Sequence, residues 1–244
     1  MKPILIHKTG RTIPSIAVDS GDFEDWIIAG MGLPPRQFLT TSVFLDEALP
    51  SLSAISAVVV TGSPAMVTEE LAWIKQSEAF LLEAVKAEMP VLGICFGHQL
   101  LAKALGGKVG WHKQGREIGT TTVELGKGAE SDILFAGLPD TFPVHVSHMQ
   151  SVLEPPSGSA ILASNDFDPH HGLCFAKNAW GIQFHPEFNE NITSLYIRER
   201  YDQIKSEGLD PDVLLSKVEP APASASILGR FAALVTEREA DQEA

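Results

Sequence analysis

Apolar runs alternate with amphipathic stretches through the first half of the chain. Four near-continuous apolar runs predict strands over residues 3–7, 40–45, 55–60 and 91–94. Strands without alternation between apolar and polar positions are typical of a parallel sheet that is covered on both faces. Between them, the apolar spacing predicts a weak helix over residues 21–31 and the longest helix of the chain over residues 68–88. Strand–helix–strand connections of this length join parallel neighbours.

The pattern changes after Gly107. Shorter strand candidates, interrupted by Gly, Pro and Asn, follow over residues 118–125, 142–147, 160–164 and 172–177. Such punctuation predicts a small antiparallel extension beside the main sheet. The predicted fold class is therefore α/β, a three-layer sandwich around a central, mostly parallel sheet.

The C-terminal part is predicted to be helical. The apolar spacing predicts one helix over residues 190–205 and a short helix over residues 211–217, and a Pro- and Ala-rich linker follows over residues 219–225. A last helix is expected over about residues 226–237, followed by a frayed acidic tail. All 244 residues are predicted to form one domain.

The strand over residues 91–94 runs into Gly93-Ile-Cys95-Phe-Gly97, and a helical pattern leads away from it until Gly106 and Gly107. The pattern G-x-C-x-G is the thiol counterpart of the G-x-S-x-G turn, which presents a nucleophile at the end of a strand. Glycine on both sides permits the tight, strained backbone of such a turn. The N-terminus of the following helix would favour the thiolate form of Cys95. On this pattern alone, a buried core cysteine is the alternative.

A further short strand begins at Trp180 and leads into His185-Pro186-Glu187. Because successive side chains of a strand point to opposite faces, His185 and Glu187 are predicted to lie on the same side. A thiol nucleophile needs a base, and the base needs an acceptor that fixes its tautomer. Cys95, His185 and Glu187 could supply these three roles. For the His-Pro-Glu motif alone, an ordinary turn with a solvated carboxylate is the alternative.

Together these stretches resemble the class I glutamine amidotransferases, most closely the glutaminase domain of GMP synthase. The resemblance implies a triad of Cys95, His185 and Glu187 that hydrolyses the side-chain amide of glutamine and releases ammonia. The matching stretches occur in the order of the family across residues 61–187, and they are Thr61-Gly-Ser-Pro64, Gly93-Ile-Cys-Phe-Gly-His-Gln99, Val146-Ser-His148 and Gln183-Phe-His-Pro-Glu187.

The resemblance also assigns roles outside the triad. The backbone N–H groups of Ser63 and Phe96 correspond to the oxyanion hole, although many members of the family have a second Gly where Ser63 stands. The residues that correspond to contacts with bound glutamine are Gly62, Gln99, Ser147 and His148.

One segment departs from the family pattern. Met149 and Gln150 stand where the GMP synthase domain usually has Gly and Asp. The carboxylate that is expected to hold the substrate ammonium is therefore missing. A γ-glutamyl amide or peptide is attacked at the same kind of carbon, so an altered clamp could accept a larger amine group than ammonia.

Composition and charge exclude several classes of function. With 44% hydrophobic and 20% charged residues, the chain has the composition of a soluble globular protein. Its net charge of −13 argues against a nucleic-acid-binding surface. The apolar run after Met1 is too short for a signal peptide, and no stretch of the sequence is long enough to cross a bilayer. Cys95 and Cys174 form no disulfide framework. We therefore expect a cytoplasmic protein that contacts neither nucleic acid nor a membrane.

No cofactor is expected. His145-x-x-His148 and His170-His171 could suggest a metal, but they lack carboxylate and thiolate partners at ligand spacing. The sequence contains no G-x-x-x-x-G-K-[ST] phosphate loop, which argues against ATP binding.

Three functional hypotheses follow. In the first, the chain is a glutaminase that supplies ammonia to a separate synthase subunit, because no ATP-using synthase domain fits after residue 187. In the second, it is a stand-alone hydrolase of γ-glutamyl compounds, which the altered Met149-Gln150 segment favours. In the third, it is a non-catalytic binding or regulatory protein on the same fold, which the complete set of triad residues disfavours.

Overall fold

The computed structural model describes residues 2–243 of the chain, and these residues form eleven strands and eight α-helices. The strands are β1 (Ile4–Lys8), β2 (Phe38–Ser42), β3 (Ala57–Val60), β4 (Val91–Ile94), β5 (Lys108–Trp111), β6 (Glu117–Leu125), β7 (Thr141–His148), β8 (Gln150–Glu154), β9 (Ala160–Ser164), β10 (Gly172–Ala176) and β11 (Ala179–Ile182).

The helices alternate with strands in the first half of the chain and follow the strands in the second half. The helices are α1 (Pro14–Ser20), α2 (Phe23–Met31), α3 (Ala72–Lys86), α4 (Phe96–Ala104), α5 (Glu190–Glu199), α6 (Tyr201–Ser206), α7 (Pro211–Ser216) and α8 (Pro222–Glu243).

Within residues 2–243, nine strands form one sheet in the order β2-β1-β3-β4-β11-β10-β9-β6-β7. The first five of these strands are parallel, and the other four join through antiparallel pairs. The strands β5 and β8 form a separate antiparallel pair. The prediction of a mostly parallel sheet with an antiparallel extension is confirmed.

The parallel strands β1, β3, β4 and β11 are buried on both faces, whereas the edge strand β2 is partly exposed. The side chains of β1 and β4 alternate between two apolar cores. In β1, Ile4 and Ile6 pack into the core that α2 and α8 cover, whereas Leu5 packs into the core that α3 and α4 cover. In β4, Leu92 joins the first core and Val91 the second. Burial on both faces explains why the sequence of these strands shows no polar alternation.

The C-terminal helix corrects two predictions. α8 begins at Pro222, inside the predicted linker, and it runs through the predicted frayed tail to Glu243. Proline is tolerated in the first turn because its missing N–H would have no acceptor within the helix. Near the other end, Glu239 accepts a hydrogen bond of 2.9 Å from the backbone of Lys2. Ala244, the last residue of the predicted tail, lies outside the described residues.

The helix predicted over residues 68–88 is not the longest. Val67–Glu69 forms a separate 3₁₀ turn, Glu70 has a positive φ of 54°, and α3 begins only at Ala72. α3 therefore has 15 residues, whereas α8 has 22. Within residues 2–243, no helix has both the length and the apolar character that a membrane crossing requires.

Other boundaries differ locally. The strand predicted over residues 40–45 starts at Phe38, and Val43–Leu45 is a 3₁₀ turn. α1 is absent from the prediction, because its few apolar residues show no clear period. The helix predicted over residues 190–205 is divided at Arg200, whose φ of −107° and ψ of 15° separate α5 from α6.

The glycines of the G-x-C-x-G pattern allow α4 to approach the sheet closely. A Cβ on Gly97 would lie 2.5 Å from the carbonyl oxygen of Val60, and a Cβ on Gly93 would collide with the backbone of Gly97 and His98. We expect Gly93→Ala to lower the free energy of unfolding by about 1–3 kcal/mol, the usual cost of overpacking. Denaturation in urea measures this change.

Gly229→Ala is the matched control, because open space surrounds Gly229 inside α8. This change should raise the free energy of unfolding by up to about 1 kcal/mol, since alanine is the better helix former. A Gly93→Ala protein as stable as the Gly229→Ala protein would contradict the close approach of α4 to β4.

Candidate active site

Cys95 lies at a sharp turn between β4 and α4, as the sequence predicts. Its φ of 51° and ψ of −99° are unusual for a residue that carries a side chain, and such a backbone is strained. Two hydrogen bonds hold it. The Cys95 amide donates to the carbonyl oxygen of Ile182 at 2.8 Å, and the amide of Gln99 donates to the Cys95 carbonyl oxygen at 3.1 Å. The turn directs the sulfur away from the sheet, at the N-terminus of α4.

His185 and Glu187 lie beside Cys95, but not for the predicted reason. β11 ends at Ile182, so both side chains belong to the following loop and not to one face of a strand. The loop is fixed by the His185 amide, which donates to the carbonyl oxygen of His145 at 2.8 Å. His185 Nδ1 lies 2.7 Å from Glu187 Oε1, and His185 lines the same cleft as Cys95, near enough for its charge to act on the thiol. The structure therefore brings the three predicted triad residues together.

Two phenylalanines, which sequence reasoning missed, hold the plane of the His185 ring. Phe188 stacks on one side at 4.1 Å between centroids, and Phe23 is parallel to the ring at 6.2 Å. Gly62 leaves room for the ring, because a Cβ there would lie 3.1 Å from His185 Cε1. Gly62 is not part of the cleft lining, so the structure places this predicted substrate contact behind the imidazole.

The charges around the sulfur favour the thiolate. Burial alone would raise the pKa of the Cys95 thiol, because a thiolate is poorly solvated in the interior. The charge of His185, together with the charge of His148, outweighs burial and lowers the pKa of Cys95. Burial would lower the pKa of His185, but the charges of Glu187 and Cys95 raise it. The two shifts favour a thiolate–imidazolium pair.

A second imidazole–carboxylate pair is buried near the thiol. The pairing of β6 with β7 sets Glu117 opposite His148, and His148 Nε2 lies 2.8 Å from Glu117 Oε2. Asn165 donates to the other carboxylate oxygen at 2.8 Å. His148 Nδ1 lies 3.1 Å from the carbonyl oxygen of Gln150. Because a carbonyl and an ionised carboxylate only accept hydrogen bonds, His148 must carry a proton on both nitrogens.

The pKa shifts agree with this assignment. Burial would lower the pKa of His148, but its hydrogen bond with Glu117 and the charge of that carboxylate raise it. Burial would raise the pKa of Glu117, but its hydrogen bond with His148 and the nearby imidazole of His171 bring it well below the ordinary value. His148 is therefore a buried cation that adds positive charge near Cys95.

The hydrogen-bonding groups of two predicted substrate contacts are engaged within the protein. Both ring nitrogens of His148 have protein partners. Gln99 Nε2 donates to the carbonyl oxygen of Gln150 at 2.7 Å and to Gln183 Oε1 at 2.9 Å. The Gln150 side chain, in turn, donates to Thr68 Oγ1 at 2.7 Å. Gln99, His148 and Gln150 line the cleft, but these side chains form hydrogen bonds within the protein.

Glu117 also bears on the question of a metal. His171 Nε2 lies 3.1 Å from Glu117 Oε2, and the donor atoms of Glu117, His148 and His171 lie within 4.8 Å of one another. Two imidazoles and a carboxylate are a donor set that zinc can use. Glu117 could not be found from sequence spacing, because this residue belongs to another strand, 31 positions before His148. The 2.8 Å between His148 Nε2 and Glu117 Oε2 is the length of a hydrogen bond, and a doubly protonated His148 has no lone pair for a metal.

A cleft opens at Cys95 and divides into two lobes, which share Ser63, Cys95, Ser147 and Arg200. The apolar lobe has a volume of about 570 Å³, and its lining includes Ile13, Phe23, Phe44, Leu71, Trp73 and Tyr196. The polar lobe has a volume of about 220 Å³, and its lining includes Gln99, Arg116, His148, Met149, Gln150 and Gln203.

The residues predicted for the oxyanion hole, Ser63 and Phe96, line the polar lobe together with Cys95. Ser63 Oγ donates to the carbonyl oxygen of Thr9 at 2.7 Å and accepts from the amide of Ala65 at 3.1 Å, which fixes the loop after β3. Phe96 is the first residue of α4, so its N–H has no acceptor within the helix. The Ser147 carbonyl oxygen lies 4.0 Å from Cys95 Sγ.

This geometry agrees with the family match. The family model of the class I glutamine amidotransferases matches residues 35–201, which is more than half of the chain. The chain belongs to the class I glutamine amidotransferases. A glutamine-hydrolysing GMP synthase subunit from Sulfolobus acidocaldarius is 34% identical to it over 162 residues, which are 65% of this chain and 81% of that protein.

Other relatives of this amidotransferase are longer. The GMP synthase of Aeropyrum pernix is 38% identical over 143 residues, which are 59% of this chain but only 26% of that protein. Among solved structures, a glutamine amidotransferase from Thermotoga maritima superposes with a TM-score of 0.74 at 25% identity and covers 98% of both chains. One from Methylobacillus flagellatus has a TM-score of 0.72 at 22% identity, which supports the fold.

The pKa values of the two thiols of this amidotransferase are shifted in opposite directions. Burial and the charge of Asp132 raise the pKa of Cys174 to about 11, whereas the pKa of Cys95 lies below its ordinary value of 9.0. We expect iodoacetamide to alkylate Cys95 at a pH where Cys174 is still inert. Mass spectrometry of peptides, taken over a series of pH values, measures both rates in one protein.

The same experiment on a His185→Ala protein should move the inflection of Cys95 to higher pH. Without the imidazolium, burial would act on the Cys95 thiolate with little to oppose it. Equal pH profiles for the two cysteines of the unchanged protein would contradict this account of the site.

Proposed function

We propose that the chain hydrolyses the side-chain amide of glutamine and releases ammonia. Cys95 is the nucleophile, His185 moves the protons, and Glu187 orients the imidazole. The observation that carries the proposal is the convergence of thiol, imidazole and carboxylate: Cys95 and His185 line one cleft, and His185 Nδ1 lies 2.7 Å from Glu187 Oε1.

The first half of the reaction forms a thioester. The Cys95 thiolate attacks the γ-carbonyl carbon, and a C–S bond forms while the carbonyl electrons move to the oxygen. The backbone amides of Ser63 and Phe96 donate to this oxyanion, and one such donor commonly stabilises the transition state by about 3 kcal/mol. Protonated His185 then gives its proton to the departing nitrogen. The C–N bond breaks, and ammonia leaves.

The second half hydrolyses the thioester. His185, now neutral, takes a proton from water, and the resulting hydroxide attacks the acyl carbon. The same two amides receive the second oxyanion. When it collapses, the C–S bond breaks, glutamate leaves, and Cys95 returns to the thiolate paired with the imidazolium. Phe188 and Phe23 keep the ring in one plane through both proton transfers.

The ammonia acceptor is proposed from the relatives. Several relatives are named as one lettered subunit of a glutamine-hydrolysing GMP synthase, which implies a second subunit in those proteins. The match to the longer GMP synthase of Aeropyrum pernix covers only 26% of that protein. We propose that this chain likewise delivers ammonia to a separate synthase subunit.

A second candidate is the hydrolysis of γ-glutamyl amides with a larger amine group. The apolar lobe favours it, because about 570 Å³ next to Cys95 is far more space than ammonia requires. Phe23, Phe44 and Trp73 would pack against an apolar amine there. In this reaction the same thioester forms, and the amine leaves in place of ammonia.

Cys95→Ala should abolish turnover, because no other group can form the thioester. The measurement is ammonia, glutamate and free amine released from glutamine and from γ-glutamyl dipeptides, with and without the synthase subunit of a relative. Cys174→Ser is the control and should keep full activity, since Cys174 lies outside the cleft lining. Ammonia release by the Cys95→Ala protein would overturn the mechanism, and cleavage of dipeptides in preference to glutamine would select the second candidate.

Substitution of the other two triad residues should lower activity less than Cys95→Ala does. His185→Ala should remove nearly as much activity as Cys95→Ala, because His185 is the base proposed to exchange protons at the thiol and the imidazole of His148 is engaged with Glu117. Glu187→Gln should lower kcat by about 10²–10⁴-fold, since the imidazole still accepts a proton but loses its fixed tautomer. Steady-state rates of the three variants test this order. A Glu187→Gln protein less active than the Cys95→Ala protein would contradict it.

A further inference from the structure

Arg200 stands where the predicted helix over residues 190–205 breaks. The residue lies between α5 and α6, and its side chain lines both lobes of the cleft. The guanidinium lies over the ring of Tyr196, 4.9 Å from its centroid. Tyr196 is itself held by a hydrogen bond of 2.6 Å between its hydroxyl and that of Thr12. Arg200 is therefore supported as a planar group next to Cys95.

The Arg200 guanidinium differs from the other buried cations of the cleft because it has no carboxylate partner. His185 pairs with Glu187, and His148 with Glu117. Arg116 donates to both carboxylate oxygens of Glu207, at 2.7 Å and 3.0 Å. Among the described residues, no carboxylate forms an ion pair with Arg200, and its buried Nη1 has no hydrogen-bond acceptor.

The cleft also lacks negative charge for an ammonium group. Within the described part of the chain, neither lobe is lined by an Asp or Glu side chain, although the protein carries a net charge of −13. At the position of the missing Asp, the Gln150 side chain donates to Thr68. Met149 Sδ lies 3.1 Å from Arg116 Nη2. The lining is therefore cationic in an otherwise acidic molecule.

Arg200 is partly buried, and its buried Nη1 without an acceptor is costly; a carboxylate of a ligand would pair with this guanidinium. We infer that Arg200 receives the α-carboxylate of a γ-carboxamide substrate, and that the enzyme does not require a free α-ammonium group. The substrate class is then glutamine and its α-N-acylated derivatives. This inference rests on the proposed function, since it places the α-carboxylate of the molecule whose γ-amide Cys95 attacks.

Binding in a Cys95→Ala background tests the inference without turnover. Calorimetry would compare L-glutamine, N-acetyl-L-glutamine and L-glutaminamide, in which the α-carboxylate is an uncharged amide. We expect glutamine and N-acetylglutamine to bind within about 3-fold of each other. Glutaminamide should bind at least about 10-fold more weakly, because it loses a charge-assisted pair of hydrogen bonds.

Arg200→Met in this background should weaken binding of glutamine at least about 10-fold and leave glutaminamide unchanged. Arg198→Met is the matched control, because Arg198 is exposed at the end of the same helix, and it should change neither affinity. If circular dichroism shows that Arg200→Met does not fold, Arg200→Lys takes its place, with a smaller loss for glutamine. The comparison of the three ligands on the Cys95→Ala protein, which retains Arg200, tests the inference without any Arg200 variant.

Equal binding of glutamine and glutaminamide would overturn the role of Arg200. Failure of N-acetylglutamine to bind where glutamine binds would overturn the statement about the α-ammonium. If no probe binds, the inference fails. Ammonia release by the protein with Cys95 intact would still support the proposed function, and its absence despite selective binding would remove the proposed function and leave the carboxylate site.

Discussion

The strained backbone of Cys95 is the constraint on which the cleft depends. A residue with φ of 51° and ψ of −99° costs on the order of 1–3 kcal/mol, and it persists only where its surroundings leave no alternative. Here β4 pairs on one side with β3 and on the other with β11. Close packing through Gly93 and Gly97 then fixes where α4 begins. The pairing of β4 and the packing of α4 together fix the position of the Cys95 sulfur.

The second requirement is electrostatic. A thiolate and an imidazolium lie in a buried site, where unpaired charge costs several kcal/mol. The structure meets this cost by pairing: Glu187 holds His185, and Glu117 holds His148. The two carboxylates also keep each imidazole in one orientation.

Much of the fold follows from local sequence, and part of the site does not. The apolar runs of the parallel strands predict their burial. The turn at Cys95 can be predicted because it depends on the two glycines that flank Cys95 in the sequence. The proximity of His185 and Glu187 was predicted from strand alternation, whereas a loop after β11 produces it. Spacing within a motif can thus be informative even when the assumed secondary structure is wrong.

Residues brought in by non-local pairing could not be predicted. Glu117 reaches His148 only through the register of β6 against β7, which no pattern within either strand encodes. Arg200 enters the cleft because a helix breaks there, although the apolar spacing continues past it. The histidines lack a carboxylate at ligand spacing in the sequence, yet the structure sets Glu117 beside them. Sequence spacing finds ligands within one element, and an antiparallel sheet supplies them from another.

The unusual features of the polar lobe have a common physical basis. Where the related GMP synthase domain usually has an Asp, this chain has Gln150, whose amide is turned to Thr68. The neighbouring Met149 packs against Arg116, which Glu207 neutralises. These contacts leave Arg200 as the remaining unpaired charge of the lobe, so recognition by charge can act only on an anionic part of the substrate. The Gln at position 150 therefore leaves the lobe without a site for an ammonium group, and the break between α5 and α6 supplies a site for a carboxylate. Both features favour an anionic group of the substrate.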